Sequence, residues 1–334
     1  MIITRTPFRI SFAGGGSDLP SYYEKFGGAV LSVSINKYMY LFMHDYFDSN
    51  KYMLKYSKTE LVDSLDKIQH PILKAVFSKY NISGVDFSSI ADIPAGTGLA
   101  SSSAFTVGLI NLCNVYTDKY MEKSDIAKLA CDIEINELKE PIGKQDQYAC
   151  ACGGLNFIEF SKDGNVDIEN LYLQSDAYRV LEKNLLMFYT GKTRSAGSIL
   201  AEQKKNTEED IKKINNLHKM VKLAKELKAE LLKGNVDAMG DILHSGWLYK
   251  KELANGISNP DIDYYYDLAM KNGAKGGKLL GAGGGGFLLF YVEEQFRNKV
   301  RTALKDLKEI DFNFDSKGTN LIYYGKNNLY RRIV

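Results

Sequence analysis

The spacing of hydrophobic residues changes along the chain between the alternation typical of strands and the three- and four-residue period typical of helices. Stretches rich in Val, Ile, Tyr and Phe predict strands at 1–12, 29–36, 37–47, 51–57, 85–93, 154–161, 166–173, 184–190, 287–292 and 320–325. Amphipathic stretches predict helices at 70–80, 105–116, 124–138, 211–231, 236–254, 261–271 and 294–308. The strands at 29–36 and 37–47 are expected to pair with each other.

The chain has 334 residues, which is long enough for two domains with a core each. We predict one domain at 1–180 and a second at 181–334. The apolar fraction of 45% and the charged fraction of 25% are typical of soluble globular proteins. No stretch approaches the length of a membrane-spanning helix, and the N-terminus lacks the apolar region of a signal peptide. We therefore expect a cytoplasmic protein that does not associate with a membrane.

The formal net charge is +2, so no general field attracts nucleic acid, and nucleic acid is not expected as a partner. The sequence leaves a monomer and a homodimer equally open. The cysteines at 113, 131, 150 and 152 fall in segments that we expect to be helical and buried, which suits reduced thiols. With no second cysteine pair and no nearby histidine, a thiolate metal site is not expected.

The segment 92–104 follows a predicted strand and precedes a predicted helix. Glycines let the backbone take positive φ and let an anion approach the main chain closely. Serines at the start of a helix place hydroxyl groups beside unpaired N–H groups and the positive end of the helix dipole. We therefore predict a phosphate site formed by Pro94, Gly96, Thr97, Gly98, Leu99, Ala100, Ser101, Ser102 and Ser103.

Three other segments of the chain carry glycines in patterns that are similar to known ligand loops. Residues 13–20 place three glycines before Asp18, a pattern that favours a ligand loop over a flexible turn. Residues 191–193 look like the end of a P-loop, but position 186 is Leu where that motif needs glycine. Residues 281–286 match the dinucleotide fingerprint in letters, yet a strand follows where that fingerprint opens a helix. The sequence therefore excludes both better-known nucleotide motifs.

In this order, residues 6–18, 94–104 and 278–287 resemble the three motifs of the GHMP kinases. The resemblance spans almost the whole chain and implies binding of ATP and Mg²⁺. It also implies an α+β fold of two domains, the first like domain 2 of ribosomal protein S5 and the second ferredoxin-like. The chain departs from the usual motifs at Phe8, Ala100 and Ser103, where most members have glycine, glycine and alanine.

The same resemblance implies roles for individual residues. Ser102 and Glu134 would hold Mg²⁺, although from the sequence alone Glu134 would be interpreted as a solvent-facing acid on a helix. Asp146 would accept the proton of the attacking hydroxyl, with Arg9 keeping it ionised. The residues expected to bind the sugar substrate are Asp18, Gly15, Gly16, Ser17, Gly283 and Gly284.

Within the superfamily, residues 5–24 and 278–287 are most similar to kinases that phosphorylate the anomeric hydroxyl of D-glycero-D-manno-heptose 7-phosphate, on the route to GDP-heptose for surface polysaccharide. Lys192 and Arg194 are our candidates for binding the 7-phosphate, and a solvated turn is an equally good interpretation of that segment. The alternatives are another sugar 1-kinase of the fucokinase or galactokinase type, and a non-catalytic sugar and ATP sensor.

Overall fold

Two β-sheets organise the chain in the computed structural model, which describes residues 1–191 and 197–325. The strands are β1 Ile2–Ala13, β2 Gly28–Asp45, β3 Tyr52–Lys55, β4 Thr59–Val62, β5 Val85–Ala91, β6 Leu155–Phe160, β7 Val166–Asn170, β8 Leu185–Tyr189, β9 Gly276–Leu279, β10 Phe287–Tyr291, β11 Lys308–Glu309 and β12 Asn320–Tyr324. The first sheet has the order β12-β1-β2-β5-β3-β4, with β6 paired to β2 and β7 paired to β6. The second sheet has the order β11-β8-β10-β9.

The helices flank these sheets, and most of them follow the predicted amphipathic stretches. They are α1 Pro20–Phe26, α2 Pro71–Tyr80, α3 Ser101–Tyr116, α4 Lys123–Cys131, α5 Gln145–Cys152, α6 Ser175–Lys183, α7 Gly197–Glu209, α8 Ile211–Leu232, α9 Ala238–Lys251, α10 Pro260–Lys271 and α11 Arg297–Ala303. Short 3₁₀ turns cover Leu65–Lys67 and Glu294–Phe296, and a π-helical turn, Asp132–Glu137, continues α4. Helices α1 and α6 and strands β4, β9 and β11 had no clear signal in the sequence.

The expected pairing of 29–36 with 37–47 is wrong, because these residues form the single strand β2. A tight hairpin needs residues with positive φ at its turn, and neither Asn36 nor Lys37 has one. The strand instead continues through a register shift opposite Pro7 and Phe8 of β1. Its first half pairs with β6, its second half with β5, and both halves with β1.

The second sheet has the topology that the family resemblance implied. Its elements follow the order strand, helices, strand, strand, helix, strand from β8 to β11, and all its pairs are antiparallel. With the strands numbered one to four along the chain, the spatial order is 4-1-3-2, which is the ferredoxin-like arrangement. The chain then returns to the first sheet, where β12 pairs with β1.

A shared hydrophobic core connects the two sheets. Helix α8 belongs to the second half of the chain, yet its buried residues Ala224, Leu227 and Leu231 join the core cluster of the first sheet. A second cluster, around Trp247, lies on the other face of the second sheet. The domain boundary near residue 180 therefore stays a prediction, since the core is continuous across it.

The four cysteines are free thiols on α3, α4 and α5, as expected, and only Cys152 is half-buried while the other three are buried. Among residues 1–191 and 197–325, no helix combines the length and the apolar composition that crossing a bilayer would require.

Candidate active site

Residues from all three glycine segments line one cavity of about 370 Å³. The first segment contributes Gly15, Gly16 and Asp18, and the second contributes Gly96, Gly98 and residues 100–103. The third contributes Gly281 and Ala282. The remaining wall comes from Arg9 and Ser11 of β1, from Leu19, from 140–143 and 145–146, and from residues of α7, α9 and β9. The tertiary structure thus brings together segments that are separated by up to 267 positions in the printed sequence, from Gly15 to Ala282.

The second glycine segment forms a tight loop that starts helix α3 in the cavity wall. Gly96, Gly98 and Ala100 have φ values of 75°, 85° and 66°, so alanine at 100 adopts the left-handed conformation that glycine takes more easily. No side chain caps α3, which leaves its first N–H groups available to an anion. Thr97 stabilises the loop from within, because its Oγ1 donates to the carbonyl oxygen of Pro94 at 2.9 Å.

Glu134 lies on the π-helical turn after α4 and is 1% exposed. Its Oε1 accepts hydrogen bonds from the hydroxyls of Ser102 at 3.2 Å and Thr106 at 2.9 Å. Its Oε2 accepts from Ser103 Oγ at 2.9 Å and from Gln147 Nε2 at 2.7 Å. Burial raises the pKa of this carboxyl, and the four hydrogen bonds oppose that rise. The interpretation of Glu134 as a solvent-facing acid is therefore wrong.

The pair of Ser102 and Glu134 fits a magnesium ion. Both supply hard oxygen atoms, the two are within hydrogen-bond distance, and Ser102 lines the cavity. In the described ranges 1–191 and 197–325, no cluster of three or more His, Cys, Asp or Glu could hold a metal by itself. An ion here would therefore take its other ligands from phosphate oxygens and water, which is how kinases commonly bind Mg²⁺.

Arg9 and Asp146 form an ion pair in the cavity wall. Arg9 Nε and Nη2 both approach Asp146 Oδ1, at 2.8 and 2.6 Å, and Nη1 donates to the carbonyl oxygen of Gly98 at 2.8 Å. The backbone N–H of Arg9 also donates to the carbonyl oxygen of Leu99. The side chain of Arg9 is 5% exposed and that of Asp146 is 26% exposed, so the carboxylate is the accessible member of the pair.

Asp18 is buried beside this pair, and its Oδ1 accepts a hydrogen bond from the N–H of Gly16 at 2.8 Å. Burial raises the pKa of Asp18, and the negative charge of Asp146 raises it further. Gly143 packs directly against it, since a Cβ at that position would lie 2.0 Å from Asp18 Oδ2. The carboxylates of Asp18 and Asp146 therefore lie close enough for the charge of one to affect protonation of the other.

Lys250, on the last turn of α9, is a site residue that sequence reasoning missed. It is buried in the cavity wall and donates to the carbonyl oxygens of Leu279 and Gly281. Burial, followed by the nearby charge of Arg9, lowers the pKa of Lys250 to about 8, while Asp18 acts in the opposite direction. No motif marks this lysine, because a cation in the last turn of a helix is ordinarily solvated.

Lys278 on β9 connects the second sheet to the first. Its Nζ donates to the carbonyl oxygens of Ser11 and Phe12 on β1, at 2.8 and 3.0 Å. Burial lowers the pKa of Lys278 well below its usual range, and the charges of Lys250 and Arg9 lower it further. Arg9, Lys250 and Lys278 therefore give the cavity a wall of basic side chains, and burial together with their mutual proximity disfavours the charged forms of the two lysines.

Some predicted positions support the site without lining the cavity. Ser17 is fully buried, and its hydroxyl exchanges hydrogen bonds with the backbone of Ala29. Gly283 and Gly284 pack against the backbone of Ile257. The residues of this segment that line the cavity are Gly281 and Ala282. The small size of Gly283 and Gly284 permits their close packing, and their direct contact with substrate stays a prediction.

The predicted phosphate ligands Lys192 and Arg194 lie outside the described residues, so their role also stays a prediction. Within the part of the chain that the structure describes, the cations lining the cavity are Arg9, Lys250 and Lys278.

Comparison with known families finds two matches along the chain. The model for the GHMP kinases N terminal domain matches residues 66–154, and the model for the GHMP kinases C terminal matches residues 227–308. The first covers the serine loop, Glu134 and Asp146, and the second covers Lys250, Lys278 and the third glycine segment.

Individual relatives cover most of the chain. A D-glycero-alpha-D-manno-heptose 7-phosphate kinase of Campylobacter jejuni is 31% identical, over 95% of this chain and 97% of the relative. An L-fucokinase/L-fucose-1-P guanylyltransferase of Bacteroides fragilis is 25% identical, over 90% of this chain and 36% of the relative. Among solved structures, a D-glycero-D-manno-heptose 1-phosphate kinase from Bacteroides thetaiotaomicron superimposes with a TM-score of 0.80 at 25% identity, covering 98% of this chain and all of the other.

Proposed function

The chain belongs to the GHMP kinases, and from that premise we propose that it phosphorylates the anomeric hydroxyl of D-glycero-D-manno-heptose 7-phosphate. The phosphoryl donor would be ATP with Mg²⁺, and the product would be the 1,7-bisphosphate, a precursor of GDP-heptose for surface polysaccharide. The observation that carries the proposal is the Arg9–Asp146 ion pair, which lies in the same cavity as the serine-bearing N-terminus of α3. The similarity to the heptose kinases selects the sugar.

Each part of the site has a task in phosphoryl transfer. The N–H groups of α3 and the hydroxyls of Ser101 and Ser102 would bind the phosphate tail of the nucleotide. Ser102 and Glu134 would hold Mg²⁺, which when bound would supply positive charge that offsets the negative charge of the phosphate groups. Asp146, held in position by Arg9, would accept the proton of the anomeric hydroxyl, and Asp18 would bind other hydroxyls of the sugar.

The test is an ATP-dependent screen of heptose 7-phosphate, hexose phosphates, galactose and fucose, followed by phosphorus NMR. We expect ADP and a new anomeric phosphate signal with the heptose phosphate, and no turnover when the divalent cation is chelated. Phosphorylation of free fucose or galactose in preference to the heptose phosphate would favour the other sugar 1-kinases. Absence of ADP with every sugar would favour a non-catalytic sensor. The proposal includes a cytoplasmic location, because ATP and sugar phosphates are held there.

The same proposal assigns the 7-phosphate to Lys192 and Arg194. We expect Arg194→Ala to raise KM for the sugar phosphate much more than KM for ATP, because only the sugar substrate would contact the guanidinium. An equal effect on both KM values would contradict this assignment.

A further inference from the structure

Three buried polar atoms in the cavity wall have no hydrogen-bond partner among the described residues. They are Ser11 Oγ, Gln145 Oε1 and Gln203 Nε2. The side chains of Ser11 and Gln203 belong to residues that are only 5% and 4% exposed. Buried polar groups in proteins are nearly always paired with protein or water, so these three atoms leave hydrogen-bonding capacity in the cavity wall that a polar ligand would use.

The side chains that carry these atoms surround the turn at Gly15 and Gly16. A Cβ at Gly15 would lie 3.4 Å from Ser11 Oγ and 3.6 Å from Gln145 Nε2. A Cβ at Gly16 would lie 2.4 Å from Gln203 Nε2, so glycine leaves room for the amide. Asp18 is bound to the same turn, because its Oδ1 accepts the N–H of Gly16. The unpaired atoms and the buried carboxylate therefore share one end of the cavity.

The chemistry of this group matches a ligand that carries several hydroxyls. Gln145 Oε1 accepts a hydrogen bond, Gln203 Nε2 donates one, and the Ser11 hydroxyl does either. A sugar hydroxyl likewise donates and accepts, and it can replace water at each position. A phosphate dianion offers acceptors alone, so it would leave Gln145 Oε1 unpaired and would be repelled by an ionised Asp18.

We propose that Gln203, Gln145 and Ser11 bind hydroxyls of the sugar and determine which sugar the cavity accepts. This inference rests on the proposed function, since it requires that the cavity binds a sugar. Gln203 reaches the site from α7, in the second half of the chain, while Ser11 and Gln145 come from the first. The two halves would therefore recognise the sugar together.

The experiment measures sugar affinity without nucleotide, by calorimetry, for Gln203→Met, Gln145→Met and Ser11→Ala. The panel contains heptose 7-phosphate, galactose, fucose and monodeoxy analogues of whichever sugar binds. Lys204→Met, on an exposed position of the same helix, is the matched control. We expect each cavity variant to weaken sugar binding about 3- to 30-fold, the range for one lost hydrogen bond, with KM for ATP and the control unchanged.

The deoxy analogues separate recognition from a structural role. One analogue should bind the wild type as weakly as the parent sugar binds Gln203→Met, and it should lose nothing further in that variant. Wild-type affinity that is equal for the parent and all its deoxy analogues would overturn the inference, and so would the absence of any sugar binding. Binding that shows the expected losses without phosphoryl transfer would support the inference and refute the proposed function. Phosphoryl transfer to the sugar, together with unchanged sugar affinity in all three variants, would support the proposed function and refute the inference.

Discussion

Asp146 and Arg9 form the contact on which turnover should depend most directly. We predict that Asp146→Asn lowers kcat by about 10²- to 10⁴-fold, because the amide cannot accept the proton of the attacking hydroxyl. Nucleotide affinity should be unchanged, since the N-terminus of α3 is a separate part of the wall. Steady-state kinetics and nucleotide titration measure both quantities. Asp176→Asn, at an exposed position on α6, is the control, and near-normal turnover of Asp146→Asn would contradict the assignment.

Lys250 should make the stability of the protein depend on pH. Burial lowers its pKa from 10.5 to about 8, so above pH 8 the unfolded chain binds more protons at this residue than the folded chain. Its contribution to the free energy of unfolding is therefore least favourable below about pH 8 and increases as the pH rises towards 10.5. We predict that wild type gains about 2 kcal/mol relative to Lys250→Met between pH 7 and 10.

Urea unfolding of both proteins across this pH range measures the difference directly. Comparing wild type with the variant cancels the titration of the tyrosines, which the two proteins share. A stability difference between wild type and variant that stays constant with pH would show that burial does not lower the pKa of Lys250.

At the scale of elements, the second and third glycine segments pack backbone against backbone. A Cβ at Gly98 would lie 2.5 Å from the carbonyl oxygen of Leu280, and one at Gly281 would lie 2.3 Å from the Cα of Gly98. Both residues also have positive φ, as does Gly234 at the end of α8. A Cβ at Gly234, however, would meet no atom within 4 Å. Gly234 therefore shares the positive φ of Gly98 and Gly281 but does not pack against another backbone segment.

We predict that Gly234→Ala costs about 1–2 kcal/mol of stability, which is the cost of holding an alanine in the left-handed backbone conformation. Gly98→Ala and Gly281→Ala should cost about 1–3 kcal/mol more, because the added methyl groups push the two loops apart. They should also raise KM for ATP, since the displaced loop begins α3. Urea unfolding and kinetics of the three variants test this, and equal losses of stability in all three would mean that the loops do not depend on close contact.

The π-helical turn at Asp132–Glu137 is the other element that shapes the site. A π turn widens the helix locally and is common at functional sites. Here it carries Glu134, which reaches Ser102 and Ser103 at the start of α3. The sequence predicted one continuous helix over 124–138, because helical periodicity alone does not reveal where a helix widens.

At the scale of the whole molecule, α8 makes the stability of the two halves interdependent. Leu227 is fully buried in the cluster of the first sheet, whereas the single tryptophan, Trp247, lies in the cluster of the second. We predict that Leu227→Ala costs about 2–5 kcal/mol. The loss of stability should be the same whether unfolding is followed by tryptophan fluorescence or by far-UV circular dichroism, because we expect both halves to unfold in one transition. Leu232→Ala, at a half-exposed position of the same helix, is the control.

A fluorescence transition that does not shift in Leu227→Ala would contradict this prediction. It would also contradict a boundary near residue 180, because that boundary assigns Leu227 and Trp247 to the same domain. The measurement therefore also tests that boundary.

The sequence by itself determined the local parts of this protein. Glycines before a run of serines required a loop and a helix start at 96–103, and the alternating residues of 1–12 required a strand, because these preferences arise from the residues' own backbone and side-chain chemistry. The order of three such segments was enough to indicate the family and the fold. It also pointed to Arg9, Asp18 and Asp146, which the structure places around one cavity.

Only the tertiary structure decided which side chains are buried and which distant residues meet. Glu134, Lys250 and Gln203 all lie on helices whose sequences allow a solvated polar residue at those positions, and packing against other elements made them part of the site. The path of β2 was likewise decided by its partners β5 and β6, since no turn residue forced the chain to reverse. Burial and long-range pairing depend on the whole fold, and local residue chemistry cannot specify them.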